Sequence, residues 1–384
     1  MKIKRLSYYD NELKWKLHPV DFNENLNLLV GISGVGKTRT LKSIHALRAI
    51  ANGSSYNGVE WEVQFVGENL LEYSWSGKFE TLEDGSSLEN LDVEEDVDEQ
   101  DKAKVLSESL ICEGNTVIQR CGDEIIFNGS KTPKLSNSQS VIKLLENEDD
   151  IAPVKSAFRK IIGVGRRTPQ DYMLKLTTST LKRYESSSLE ELKNSDLSVT
   201  AKLAILYKAF PREFNKIKSS FTSIFPNVLD IKIEQIQKKN IPISIARILQ
   251  DTMTVSIRER GVDPWIENIS SGMSKTLVCI SELFFAPSGS VVMIDELENS
   301  LGVNCIDGVA DLILRNRESQ FFITSHHPYI VNSITPGFWK IVTRTGGEVT
   351  IKNPEDFHIS SSRQEAFIEL VNVLEDEDIW SEQD

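Results

Sequence analysis

The stretch LNLLVGISGVGKT, residues 26–38, decides the fold class. LNLLV is the short buried run expected of a parallel-sheet strand. The next eight residues fit G-x-x-x-x-G-K-[ST], and a helical pattern follows over 38–52, with Leu41, Ile44, Leu47 and Ala51 apolar and Gly53 as its stop. Strand, glycine-rich loop and helix are the context the motif needs. Small residues let backbone N–H groups curl around phosphates, and the helix N-terminus adds positive potential. Lys37 supplies a point charge, and the Thr38 hydroxyl can reach a Mg²⁺ ion. The residues expected to contact a nucleotide are Gly31, Ser33, Gly34, Val35, Gly36, Lys37, Thr38 and Arg39.

Outward from that loop, strand patterns occupy 2–8 and 13–17. Hairpins are predicted over 59–66 with 70–75 and within 115–128, forming an antiparallel layer. From 139 to 225 the pattern is helical, with basic and apolar residues interleaved around the loop GVGRRTP at 163–169. Strand character returns over 229–258, helix and strand alternate over 268–325, and a strand pair near 339–352 precedes a helix near 363–374. The expected class is α/β, with these parts: an N-terminal half at 1–138, an inserted helical lobe at 139–228, a C-terminal half at 229–374 and an acidic tail at 375–384.

Composition narrows the function classes. The 384 residues are 40% hydrophobic, with apolar runs far shorter than the ~18 residues a membrane span needs. The N-terminal MKIKRLSYYD has no apolar signal core, and Cys112, Cys121, Cys279 and Cys305 fall in no metal-like spacing. Both point to a reduced cytoplasmic protein without a membrane association. Net charge is −14, yet 83–101 carries ten acids and 375–384 six, both without a base, so the remainder is close to neutral. The two runs read as solvated segments or as docking elements for a basic partner.

Val291-Val292-Met293-Ile294-Asp295-Glu296 is an apolar strand ending in two carboxylates. With the phosphate-binding loop elsewhere in the chain, Asp295 is expected to share the Mg²⁺ shell with Thr38, and Glu296 to polarise the attacking water as general base. Two further segments stand in order with these: Ile269-Ser270-Ser271-Gly272-Met273 before an apolar helix, and Phe321-Phe322-Ile323-Thr324-Ser325-His326-His327-Pro328, a strand running into histidines. The His pair shows no third ligand at a metal-site spacing.

These four motifs in this order resemble the ABC ATPase superfamily, and the likeness spans 31–327. ISSGM resembles its signature LSGGQ, departing at Ser271 and Met273. Within the superfamily, ENSL after Asp-Glu and the SHHP sequence look like the SMC-like and overcoming-lysogenization-like ATPases, including those of bacterial antiphage systems. The resemblance implies a P-loop NTPase fold of ABC type that binds ATP and Mg²⁺ and dimerises head to tail, with Ser270 and Gly272 reaching the γ-phosphate held by the other subunit. It makes His326 a switch histidine at the γ-phosphate and places 298–302 as the loop that crosses the dimer interface. It also calls for a metal-contacting glutamine, for which Gln139 is the choice and Gln119 and Gln170 the rivals. A homodimer or higher oligomer and a separately encoded nuclease or toxin effector follow as implied partners. A DNA-maintenance ATPase and a slowly hydrolysing scaffold are the alternatives.

Residues 155–183 hold Lys155, Arg159, Lys160, Arg166, Arg167, Lys175, Lys182 and Arg183 against Asp171 alone. This is the candidate DNA contact, each neutralised phosphate releasing counterion. A solvated helical face, or a surface that receives the acidic run, is the equal reading. Aromatic interleaving is thin, with Phe158 and Tyr172 only.

Overall fold

The computed structural model describes residues 1–82, 102–164, 174–175, 177–185, 187–235, 252–267, 269–301, 305–360 and 362–375. The acidic run at 83–101 and the tail after 375 lie outside the described residues, as do Arg166, Arg167 and Gln170. The chain begins β1 (Lys2–Asp10), β2 (Trp15–Asp21), β3 (Leu26–Val30) and α1 (Lys37–Ala51). Then come β4 (Val59–Val66), β5 (Glu72–Phe79), β6 (Val105–Cys112), β7 (Asn115–Cys121), β8 (Glu124–Phe127), β9 (Ser130–Lys131), α2 (Val141–Leu144), α3 (Ala152–Arg159) and β10 (Ile161–Val164). Next are β11 (Leu174–Lys175), α4 (Thr178–Glu185), α5 (Leu189–Lys193), α6 (Val199–Ala209), α7 (Pro211–Ile224), β12 (Val228–Gln235), β13 (Thr252–Glu259) and α8 (Ser271–Phe285). The chain closes with β14 (Val291–Ile294), α9 (Leu297–Ser300), α10 (Ile306–Arg315), β15 (Gln320–Thr324), α11 (Pro328–Ser333), β16 (Trp339–Thr345), β17 (Glu348–Lys352) and α12 (Arg363–Glu375).

Two compact units result: Met1–Ile162 with Gly289–Met293 and Arg317–Asp384, and Gly163–Ser288 with Ile294–Asn316. The first unit is built on one sheet in the order β10-β14-β15-β3-β16-β17-β2-β1-β4-β5-β6-β7-β8-β9. β3 pairs in parallel with β15 and β16, and β17 in parallel with β2, while β1 and β4 to β9 form an antiparallel meander. The expected antiparallel layer is therefore continuous with the parallel part. Leu29, Ile44, Leu47, Trp61, Phe65, Trp75 and Val342 share one core.

Where the inserted lobe starts differs from the sequence expectation. Val141, Ile142, Val154, Ala157 and Phe158 are fully buried in the first unit's core, with the Phe158 ring 5.2 Å from Phe65 and 4.8 Å from Trp75. The large aromatics of the meander thus hold α2 and α3, and the second unit begins at Gly163 instead of residue 139. That unit pairs β12 with β13 and β13 with β11. Leu203, Leu206, Phe214, Phe221, Ile231, Ile233, Ile257, Leu277 and Ile280 make its core. Strands 228–259 and helix α8 therefore pack with the helical lobe, where the sequence grouped them with a C-terminal half.

Candidate functional site

The loop between β3 and α1 is anchored at both ends and exposed in the middle. Gly31 and Val35 are buried, whereas Ile32, Ser33 and Gly34 face solvent. A Cβ on Gly31 would lie 2.6 Å from the Val342 carbonyl oxygen, so β16 admits only glycine there. Gly36 caps α1 at φ 106°, a left-handed conformation with no side-chain cap, and a Cβ would crowd Val349 at 3.0 Å. No acid lies in the first turn of α1, so its N-terminal N–H groups keep their positive end toward the loop. Lys37 Nζ donates to the carbonyls of Gly31 at 2.7 Å and Ile32 at 2.9 Å, which fixes the ammonium at the loop. Thr38 and Arg39 are half-buried beside it. Burial pushes the Asp10 carboxyl up, against the lowering pull of the Leu13 N–H and of the Arg39 charge.

Two more residues of the first unit reach this end of the sheet. Thr324 of β15 is opposite Leu29 of β3 in parallel register, so the chain leaves β15 toward His326 where β3 leads into Gly31. His326 is exposed; His327 donates its backbone N–H to Ser325 Oγ at 3.1 Å, and its Nδ1 is buried without a hydrogen-bond partner. Among the described residues no group of three or more His, Cys, Asp or Glu side chains comes together as a metal site. Arg344 of β16 donates from Nη1 to Gly34 O at 3.2 Å and from Nε to Gly346 O at 2.7 Å. The sequence reading missed this guanidinium, because nothing in TRTGGE signals that β16 will lie beside β3.

In the second unit, Ser270 caps α8, its hydroxyl accepting from Met273 N at 3.2 Å. A Cβ on Gly272, half-buried in the first turn of α8, would meet nothing within 4 Å, so no neighbour in the described chain requires a glycine there. Asp295 is half-buried and Glu296 exposed. Glu296 adopts φ 48°, ψ 69°, left-handed for a non-glycine, which costs about 1 kcal/mol. Its Oε2 accepts from Asn299 Nδ2 at 2.5 Å, and its carbonyl accepts from Asn299 N at 2.8 Å. Lys275 Nζ of α8 donates to the Asn299 carbonyl at 3.3 Å. Of the expected interface loop 298–302, residues 302–304 lie outside the described residues.

Gln139 is not at the site. A Cβ on Gly53 would lie 3.5 Å from Gln139 Nε2, so the amide sits past the C-terminal end of α1, a 15-residue helix about 22 Å long with the phosphate-binding loop at its other end. Arg120 Nη1 holds the Gln139 carbonyl at 2.8 Å, and Glu108 takes the neighbouring Ser140 hydroxyl and Val141 N–H, fixing this segment to the meander. Of the two first-unit residues expected at the metal, Thr38 lies at the start of α1 and Gln139 past its end, so the two do not come together. Gln119 is exposed on β7.

Three cations of the basic window, Lys155, Arg159 and Lys160, have acidic neighbours. Lys155 is buried and caps α1 through the Ala51 carbonyl at 2.7 Å, with Glu146 at 3.3 Å; burial holds its ammonium below the usual lysine range, Glu146 partly restoring it. Lys160 pairs with Glu68, and Arg159 lies 3.9 Å from Glu146. Lys182 and Arg183 are exposed on α4. The candidate DNA surface thereby loses Lys155, while Arg159 stays exposed on α3.

Residues 153–332 match a family model described as "AAA domain, putative AbiEii toxin, Type IV TA system". The match covers the signature-like turn, Asp295-Glu296 and His326, is just under half of the chain, and leaves the phosphate-binding loop outside. The structure is also similar to the SMC head domain from Thermotoga maritima, at TM-score 0.44 and 13% identity, over 92% of this chain and 99% of that one. A second similar structure is the Smc head domain with an extended coiled coil bound to the C-terminal domain of ScpA, derived from Pyrococcus furiosus, at TM-score 0.43 and 12% identity, over 92% and 97%. No curated protein matches the chain. No described helix is long and apolar enough to cross a membrane.

Proposed function

We propose that the chain binds ATP with Mg²⁺, dimerises around it and hydrolyses it, acting as a nucleotide-gated sensor or motor for a separately encoded effector. The observation that carries this lies in the first unit: β3 leads into the Lys37 loop and its parallel neighbour β15 leads into His326 at the same end, two of the groups that phosphoryl transfer to water needs. Lys37, the exposed loop backbone and the α1 N-terminus bind the phosphates. Thr38 and Asp295 hold the ion, which when bound neutralises charge developing on the phosphates. Glu296 accepts the water's proton, His326 contacts the γ-phosphate, and the Ser270–Gly272 turn meets the partner's nucleotide. The family description, which names a type IV toxin–antitoxin system, supports a setting with a second, separately encoded component.

The test is the solution mass of Glu296→Gln with and without ATP·Mg²⁺ by light scattering, together with nucleotide affinity and turnover. Monomer should become dimer on adding ATP, with turnover abolished and binding kept, whereas Lys37→Ala should lose binding. Normal turnover by Glu296→Gln would remove the general base, and a mass that ignores ATP would remove the gated dimer.

A further inference from the structure

We infer that Asn299 is a positioning residue for Glu296 and that Lys275 ties it to the signature-like helix; this rests on the reading of Glu296 as general base. Three contacts form one chain within the second unit: Lys275 Nζ to the Asn299 carbonyl at 3.3 Å, Asn299 Nδ2 to Glu296 Oε2 at 2.5 Å, and Asn299 N to the Glu296 carbonyl at 2.8 Å. The backbone bond already closes the turn from Glu296 into α9, so the side-chain amide is not needed for the turn. It engages the carboxylate of an exposed residue at the start of α9, where a long side chain loses rotamer freedom when a donor holds it.

An amide donor on one carboxylate oxygen fixes the plane of the group, and with it the direction from which the second oxygen takes a proton. A general base works only when that direction meets the attacking water, and small misplacements are costly in rate. The left-handed backbone of Glu296 fits this account, since a strained residue persists where its surroundings hold it. Lys275 is four residues into α8, whose N-cap is Ser270. A displacement of that turn by a bound nucleotide therefore reaches Asn299 through one hydrogen bond and Glu296 through a second.

The experiment compares Asn299→Ala, Asn299→Gln, Lys275→Met, the Ala/Met double variant and Glu296→Gln in the full chain. It measures steady-state ATP turnover, binding of a non-hydrolysable fluorescent ATP analogue, and melting temperature. Asn299→Ala should lower kcat about tenfold or more, with KM, analogue Kd and melting temperature unchanged. Asn299→Gln, which keeps the donor on a longer arm, should recover part of the rate. Lys275→Met should cost less than Asn299→Ala and add nothing to it in the double variant. A kcat for Asn299→Ala within about twofold of the parent, or a rise in kcat, overturns the inference, as does loss of nucleotide binding. Glu296→Gln separates the two failures: if it still turns over ATP the general-base reading is wrong, and if it is inactive while Asn299→Ala is normal, only the positioning role is.

Discussion

Replacing Gln320 by methionine should lower the melting temperature of the first unit by about 10 °C. Gln320 is fully buried at the start of β15 and acts as a peptide group. Its Oε1 accepts from Ile3 N at 2.7 Å, and its Nε2 donates to Ile3 O and Asn23 O, both at 2.8 Å. The β1–β2 pairing begins only at Arg5 with Asp21, so the side chain supplies the partner that β2 does not reach. Methionine fills a similar volume but leaves the Ile3 N–H and carbonyl unpartnered, whereas Asn23 O keeps its bond from Asn27 Nδ2 at 2.9 Å. Two orphaned backbone groups at about 2 kcal/mol each give about 4 kcal/mol. At ~2–4 °C per kcal/mol for a unit of this size, the shift follows. Tryptophan fluorescence is the assay, because buried Trp15, Trp61, Trp75 and Trp339 all belong to the first unit. A Gln320→Met protein that melts within about 2 °C of the parent would refute the hydrogen-bond reasoning.

Arg344→Ala should weaken ATP binding about three- to tenfold by calorimetry, since it frees the Gly34 end of the phosphate-binding loop; Arg344→Lys should not restore it, because one ammonium does not reproduce a fork that holds two carbonyls. An unchanged Kd would show the contact to be incidental. Glu108 is fully buried, and that burial pushes its carboxyl above the ordinary range, against the lowering pull of Ser140, Val141, Trp75 and Arg120. The folded state then holds the proton more tightly than the unfolded chain, so stability from this group rises as pH falls through the folded value toward 4.5. In urea titrations at pH 7 and pH 5 the parent should gain on Glu108→Gln at the lower pH, and a pH-independent gap would contradict it.

What the sequence made legible was whatever depends on neighbours along the chain. The strands flanking residues 2–30, helix α1, the meander hairpins and the β16–β17 pair all follow from local runs and turn residues. β6 was invisible because VLSESLIC places Glu108 at an interior position, and only the donors from Trp75, Ser140 and Val141, distant in sequence, make that tolerable. Gln139 looked suitable before a helical stretch, but which end of α1 that stretch packs against is decided by Arg120 and by aromatic rings of the meander. Lys155 read as a surface cation, and the free carbonyl of Ala51 that it caps is a property of the folded helix end.

The sheet places the β16–β17 hairpin between β3 and β2, strands that are consecutive in the chain. Synthesis therefore delivers residues 26–38 hundreds of residues before the wall they lean on, with Val342 over Gly31 and Val349 against Gly36. On a translating ribosome the loop lacks these two walls until residues some 310 positions later have left the exit tunnel. A nascent chain stalled in the second unit thus carries the motif without the walls that β16 and β17 supply. The long sequence separation of these contacts also makes closure of the sheet a slow, late folding event.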